Sequence, residues 1–329
     1  NVFFGENGSG KTSILEGLYF LSAAKSFRSH VTKRVIQDTE QAVFVYGEGE
    51  RGGVPFSIGI QKTTSSDVQM KINGDDIREV AAMARFLPII VSGPDLPELA
   101  NDISARIKWM DWGLFHVKQF YLDFWRKMKH VHAQRNAALK NRLFLDSLEY
   151  LDFLWVEISE QIAKDRMLYI DSINQFCLSH DYLGLHELSM AFYRGWEGDL
   201  KAKLIEGRDR ELSCGYSVYG IHRCDLKILF DDFDARHFLS RGQKKKVDFQ
   251  LKLAQGANLT LEGGVKSIFL LDDVVSEYDK NSLSMVVQQL FQNGFQVFLS
   301  GVDRSIFDHL LEDYPHKMFH VKHGKVLEI

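Results

Sequence analysis

Three short segments hold residues whose types and spacing can do chemistry. The first is "GENGSGKT" at 5–12, which fits G-x-x-x-x-G-K-[ST] between a strand-like "NVFF" and a helical run. Gly5, Gly8 and Gly10 permit backbone angles that turn the N–H groups of Glu6, Asn7 and Ser9 toward one anion. The helix opening at Lys11 adds its positive end. Lys11 is placed to reach terminal phosphates, and the Thr12 hydroxyl to ligate Mg²⁺. The second is "SIFLLDDVVSEYD" at 267–279, an apolar strand ended by two carboxylates. Asp272 at the strand's end can hold Mg²⁺ with Thr12. Asp273, on the other side of the chain, is placed to orient or deprotonate an attacking water. Lys11, Asp272 and Asp273 are the catalytic candidates.

The third is "LSRGQKKKVDFQLKLAQG" at 239–256. Ser240, Arg241, Gly242 and Gln243 precede a helix and can offer a hydroxyl and N–H groups to an anion. A second anion site is redundant inside one copy. It makes sense if each copy caps the γ-phosphate held by its twin, so that two molecules sandwich two ATPs in an isologous dimer. This is the ATP-binding-cassette pattern, and "SEYD" fits the loop that faces the partner.

The elements that must position these residues follow from periodicity. From Gln41 to Arg78 the period is two, with Gly52-Gly53 and Asn73-Gly74 as hairpin turns. "FLPIIVSGPDLPEL" reads as a buried strand and a proline-marked loop. Two long helices, 114–142 and 147–178, read as an antiparallel arm joined near "NRLFLDS", with Phe115, Phe120, Phe124, Trp125, Phe153 and Trp155 as its seam. "ELSCGYSVYGIH" and "DLKILFD" look strand-like. "HKMFHVKHGKVLEI" reads as a hairpin with a His-Gly turn, so that His316, His320 and His323 belong to that hairpin rather than to a metal site. Strands alternating with helices at both ends, interrupted by a helical insertion, predict an α/β P-loop ATPase head of the cassette type with an antiparallel β subdomain and an α-helical arm. The expected division is 1–112 and 206–329 for the head and 113–205 for the arm.

The chain resembles the RecF family, bacterial recombination-mediator ATPases related to the SMC proteins. The resemblance is carried in order by "GENGSGKTSILEGLYFLSAAKSFRSH", "SGPDLPEL", "RDRELSCGYSVYGIHRCDL", "LSRGQKKKVDFQLKLAQG" and "LLDDVVSEYD". The family's G-P-H-R-D-D stands here as Gly220-Ile221-His222-Arg223-Cys224-Asp225, and its R-R-x-F-L-D as "SARIKWMD", keeping Arg106 and Asp111. Its opening strand lies upstream of residue 1. The resemblance implies an ATP-dependent homodimer with weak, DNA-stimulated ATP hydrolysis. It also implies action on double-stranded DNA at gaps or junctions without sequence readout, and work with RecR, RecO and RecA.

Bulk composition agrees with a folded chain and narrows the choices. Of 329 residues, 45% are hydrophobic, and 40 basic residues against 44 acidic give a net charge of −4, so any DNA site must be a local patch. Candidates are Lys25, Arg28, Lys33 and Arg34; Arg126, Lys127, Lys129 and Arg135 on the arm; and Lys244, Lys245 and Lys246, of which Arg28, Lys33, Arg34 and Lys127 are preferred. Three cysteines without C-x-x-C spacing fit a reducing cytoplasm. No run of eighteen apolar residues supports a membrane span, and no signal peptide is read. Two rivals stand beside this reading: an ATPase subunit of a membrane transport complex, and a nucleotide-gated binding module in which Asp273 does not activate water.

Overall fold

Val2, Phe3 and Phe4 are all buried, a short run that suits a strand covered on both faces. They form β1 (Val2–Phe4) in a computed structural model that describes residues 1–29, 31–141, 145–180, 184–185 and 187–329. The phosphate-loop segment follows, then α1 (Lys11–Ala23). Next comes a meander of β2 (Ala42–Arg51), β3 (Val54–Thr63), β4 (Val68–Ile72) and β5 (Asp75–Ile77). Its turns are the expected ones. Gly52-Gly53 and Asn73-Gly74 all have positive φ, which joins β2 to β3 at Arg51↔Val54 and β4 to β5 at Ile72↔Asp75. Helix α2 (Val80–Phe86) and strand β6 (Ile89–Ser92) complete this stretch.

The chain divides into two compact units, residues 97–258 forming one and residues 1–96 with 259–329 the other. This groups 97–112 and 206–258 with the arm rather than with the phosphate-loop sheet. In the 97–258 unit, α3 (Ile103–Val117) is followed by α4 (Tyr121–Asn141) and α5 (Leu145–Ser179). The single helix expected over 114–142 is therefore broken at 118–120. Tyr121 turns inward, 2% exposed, and its hydroxyl bonds Asp111 at 2.6 Å while Arg166 Nε donates to it at 3.1 Å. Lys118 takes an extended conformation to allow this. Helices α4 and α5 run antiparallel, since Lys127 meets Glu157 while Arg135 meets Asp152. Within the turn expected to join them, residues 142–144 lie outside the described residues.

Strand β7 (Leu188–Tyr193) forms where the sequence reading placed no strand, and helices α6 (Leu200–Glu206) and α7 (Arg208–Cys214) follow it. Helix α7 replaces the strand expected at "ELSCGYSVYGIH". Glu211 inside it is fully buried against Arg135, and Gly215 ends the helix in the left-handed region. Strands β8 (Asp225–Phe230) and β9 (Phe233–Asp234) build a three-stranded sheet with β7, before α8 (Ala235–Phe238) and the long α9 (Arg241–Gly263). The aromatic seam is also narrower than its spacing implies. Trp155 is fully buried, but Phe120 and Phe153 are more than half exposed.

Back in the first unit come β10 (Ile268–Leu271), α10 (Val274–Glu277), α11 (Lys280–Gln292), β11 (Gln296–Gly301), α12 (Arg304–Leu310), β12 (Met318–Lys322) and β13 (Lys325–Glu328). The main sheet runs β13-β12-β1-β11-β10-β6, parallel except for β13. The β12–β13 hairpin turns at His323-Gly324, as expected. Leu15 and Phe20 of α1 pack with Ile58, Ile60 and Met70 of the meander and with Leu270 and Val321 of the sheet in one core. Among the described residues no helix is long and apolar enough to cross a membrane.

Candidate active site

Because β1, β11, β10 and β6 are parallel, their carboxyl ends share one sheet edge, and the loops after them carry the candidate chemistry. After Phe4 the chain turns through Gly5 at φ 152, where a Cβ would lie 2.2 Å from the Val321 carbonyl oxygen. Only glycine fits there. The loop is fastened behind by the Gly324 N–H, which donates to the Ser9 carbonyl at 2.9 Å. Lys11, 8% exposed, curls over the loop and donates to the carbonyls of Gly5 at 2.8 Å and Glu6 at 2.9 Å. Ser9 Oγ is buried without a hydrogen-bond partner, and a Cβ on Gly8 would meet nothing within 4 Å. An orphaned hydroxyl beside open backbone and a buried ammonium is what an entering phosphate satisfies.

Thr12 and Asp272, the two residues expected to share a metal ion, lie side by side. Asp272 follows β10, and its N–H donates to the Ser92 carbonyl at 2.8 Å. Thr12 Oγ1 donates to Asp272 Oδ1 at 3.0 Å. A hydroxyl and a carboxylate this close, both hard oxygen donors at the mouth of a phosphate cradle, fit Mg²⁺ completed by phosphate and water. No trio of His, Cys, Asp or Glu among the described residues is arranged to hold a metal.

Asp273 adopts φ 46 at the start of α10, a left-handed conformation that aspartate tolerates better than most residues. Its N–H donates to Ser300 Oγ at 2.8 Å, and its carboxylate accepts from Ser276 Oγ at 2.8 Å. Asp279 of the same segment caps α11. Ser300 carried no sequence signal, because "FQVFLSG" reads only as a buried strand.

Ser240–Gln243 lie at the start of α9 and are exposed. Ser240 and Gln243 form a capping box: the Ser240 N–H donates to Gln243 Oε1 at 2.9 Å and the Gln243 N–H to Ser240 Oγ at 3.3 Å. A Cβ on Gly242 would meet nothing within 4 Å, so packing within the chain does not demand glycine there.

The basic candidates separate sharply. Lys25, Arg28, Lys33 and Arg34 are exposed, although Arg28 Nε is bonded to Asp95 at 2.8 Å. His30, within the "SFRSH" segment, lies outside the described residues. Lys127 is exposed and pairs with Glu157 at 3.8 Å. Arg135 does not belong to any surface: it is fully buried, bonded to Asp152, Glu211 and Ser217. His222 is likewise structural. Its ring lies 4.3 Å from that of His132, Nε2 donates to the Ser217 carbonyl at 2.9 Å, and burial pulls its pKa down to about 4. Arg106 and Asp111, kept in the altered segment, are both ion-paired. Arg106 grips Asp225 with two parallel hydrogen bonds of 3.1 Å, and Asp111 pairs with Arg166 at 2.6 Å.

A parallel sheet with a phosphate cradle after β1, an acidic pair after β10, an antiparallel meander and an inserted helical segment define a P-loop ATPase head of the cassette type. Residues 1–326 match the RecF/RecN/SMC N-terminal domain family. The chain is 35% identical to the DNA replication and repair protein RecF of Shewanella pealeana, over 100% of this chain and 93% of that protein. It is 34% identical to RecF of Shewanella piezotolerans with the same coverage. Its fold is that of a solved structure of the recombination mediator protein RecF with ATP in the RecFOR pathway, with a TM-score of 0.84 at 24% identity over 100% of this chain and 91% of that one. A more distant likeness is the Smc head domain of Pyrococcus furiosus bound to the C-terminal domain of ScpA, with a TM-score of 0.50 at 15% identity over 100% of this chain and 89% of that one. The chain belongs to the RecF family of DNA replication and repair proteins.

Proposed function

We propose that this protein is an ATP-dependent DNA-binding recombination mediator whose two copies close on two ATP molecules at gaps or junctions in DNA. The observation that carries this is the meeting of Thr12 and Asp272 beside a cradle with an orphaned Ser9 hydroxyl, in a chain of the RecF family. Backbone N–H groups from Glu6 to Gly10 and the Lys11 ammonium bind the phosphates, Lys11 exchanging two carbonyl partners for phosphate oxygens. Thr12 and Asp272 hold Mg²⁺, which when bound neutralises charge on the β- and γ-phosphates. Asp273 orients the attacking water and accepts its proton.

Ser240 and the N–H groups of Gly242 and Gln243 from one copy cap the γ-phosphate held by the other. Their exposure at the start of a 23-residue helix supports this role. Hydrolysis is slow, DNA-stimulated and serves to open the dimer. Arg28, Lys33 and Arg34 contact DNA phosphates, with Lys127 as an additional contact from the arm. The cycle runs in the bacterial cytoplasm and serves RecR, RecO and the loading of RecA. Membership of the RecF family sets aside the rival reading as a transport ATPase.

The test compares nucleotide binding with single-turnover hydrolysis. Asp273→Asn should bind a fluorescent ATP analogue like the parent yet hydrolyse about 10²–10⁴-fold more slowly, the usual contribution of a general base. Parental hydrolysis by this variant would instead favour a nucleotide-gated module whose chemistry does not use Asp273.

A further inference from the structure

Ser300 stands near the end of β11, and β11 runs between β1, which feeds the phosphate cradle, and β10, which ends at Asp272. Its register partner on β1 is Phe3, two residues before Gly5. The side chain is 1% exposed. Its Oγ donates to Asp272 Oδ1 at 2.6 Å and accepts the Asp273 N–H at 2.8 Å. A hydroxyl has one proton and two lone pairs, so both bonds form at once. The backbone beyond it is tightly confined, since a Cβ on Gly301 would lie 2.7 Å from the Phe307 ring and 3.4 Å from Val275 Cγ2.

These contacts extend into one chain of hydrogen bonds. Thr12 on α1 bonds Asp272, Asp272 bonds Ser300, Ser300 bonds the Asp273 backbone, and the Asp273 carboxylate bonds Ser276 on α10. It starts one residue from the phosphate lysine and ends in "SEYD". We propose that Ser300 is a positioning residue for ATP hydrolysis: one buried hydroxyl sets the orientation of both acids and carries the state of the Thr12–Asp272 pair to Asp273 and α10. This rests on the roles given above to Asp272 and Asp273. When Thr12 Oγ1 turns toward phosphate-bound metal, Ser300 remains as donor to Asp272 Oδ1. The same hydroxyl keeps Asp273 in its left-handed conformation, so a movement of Asp272 is felt at the residue beside it.

The test uses the full chain with Ser300→Ala, Ser300→Thr, Asp273→Asn and the parent. It measures binding of a fluorescent ATP analogue, single-turnover hydrolysis, KM and kcat, and the lifetime of ATP-dependent dimers in light scattering. Loss of a supporting hydroxyl behind metal ligands typically costs about 10–100-fold. Ser300→Ala should therefore lose about that much in kcat with KM and analogue binding unchanged, form longer-lived ATP dimers, and be rescued by Ser300→Thr. Parental kcat in Ser300→Ala, equal losses in binding and turnover, or no rescue by threonine would each overturn the proposal. Should Ser300→Ala not fold, Ser300→Cys replaces it, with the same expectations. A parent that hydrolyses no ATP, or Asp273→Asn at the parental rate, would instead overturn the reading of the two acids and is recognisable as such.

Discussion

Thr12 and Asp272, 260 positions apart in the chain, meet at 3.0 Å. Strand pairing accounts for it. Parallel register aligns Phe3 with Ser300 and Leu299 with Leu271, so the residues just beyond β1 and β10 emerge at one edge. Asp272→Asn should retain ATP binding but lose hydrolysis by about 10²-fold or more, whereas Lys11→Met should weaken binding itself. Titration with a fluorescent ATP analogue beside single-turnover kinetics separates the two, because a metal carboxylate acts mainly in the transition state and the lysine also in the ground state.

Arg135 makes a second prediction. Its guanidinium has no exposure and is shared between Asp152 and Glu211, the latter also fully buried. Removing one partner of such a pair strands the other charge in a low-dielectric site, at a cost of about 3–5 kcal/mol. Arg135→Ala should therefore lower the urea midpoint strongly while leaving the salt dependence of DNA binding unchanged. A surface DNA contact would show the reverse.

His222 sets a pH limit. Burial, with positive charge at His132, Arg223 and Arg135, depresses its pKa to about 4 in the folded chain, and burial lowers that of His132 too. The unfolded histidine, near 6.5, takes up its proton first as pH falls. Stability is then fully present above about 6.5 and is lost progressively down to about 4. Urea midpoints measured from pH 7 to pH 4.5 should decline, and His222→Gln should make the decline shallower.

Arg28 and Asp95 form an ion pair in which each side chain is about half exposed. Such pairs are worth about 0–1 kcal/mol, so a DNA phosphate can displace the carboxylate. Arg28→Ala should reduce the slope of log Kobs against log salt by about 1, the signature of one lost phosphate contact. Asp95→Asn should tighten binding a few-fold at low salt. Fluorescence anisotropy with a gapped duplex across a salt series measures both.

What the sequence disclosed follows from how local each feature is. The cradle is legible because its chemistry needs closely spaced glycines before a lysine, and the acidic pair because both carboxylates directly follow an apolar strand-like run. Residues whose role depends on distant partners are not. Arg135 has the spacing of a solvated helix face, but its partners lie at 152 and 211. The break before Tyr121 carries no glycine or proline and is decided by Asp111 and Arg166. Strand β7 is a short apolar run, and it pairs with β8 from Leu188↔Phe230 to Tyr193↔Asp225. Ser300 closes an apolar run with nothing nearby to mark it, and only the sheet order places its strand between those that lead to the cradle and to the two acids.

The central claim is that two copies share each triphosphate, and the mass of the particle in solution tests it most directly. Light scattering of the parent with ATP and Mg²⁺ should give a dimer, and without nucleotide a monomer. Ser240→Arg should still bind ATP but stay monomeric, because a bulky cation replaces the small hydroxyl at the exposed start of α9. A Ser240→Arg protein that dimerises with ATP as the parent does would contradict the account.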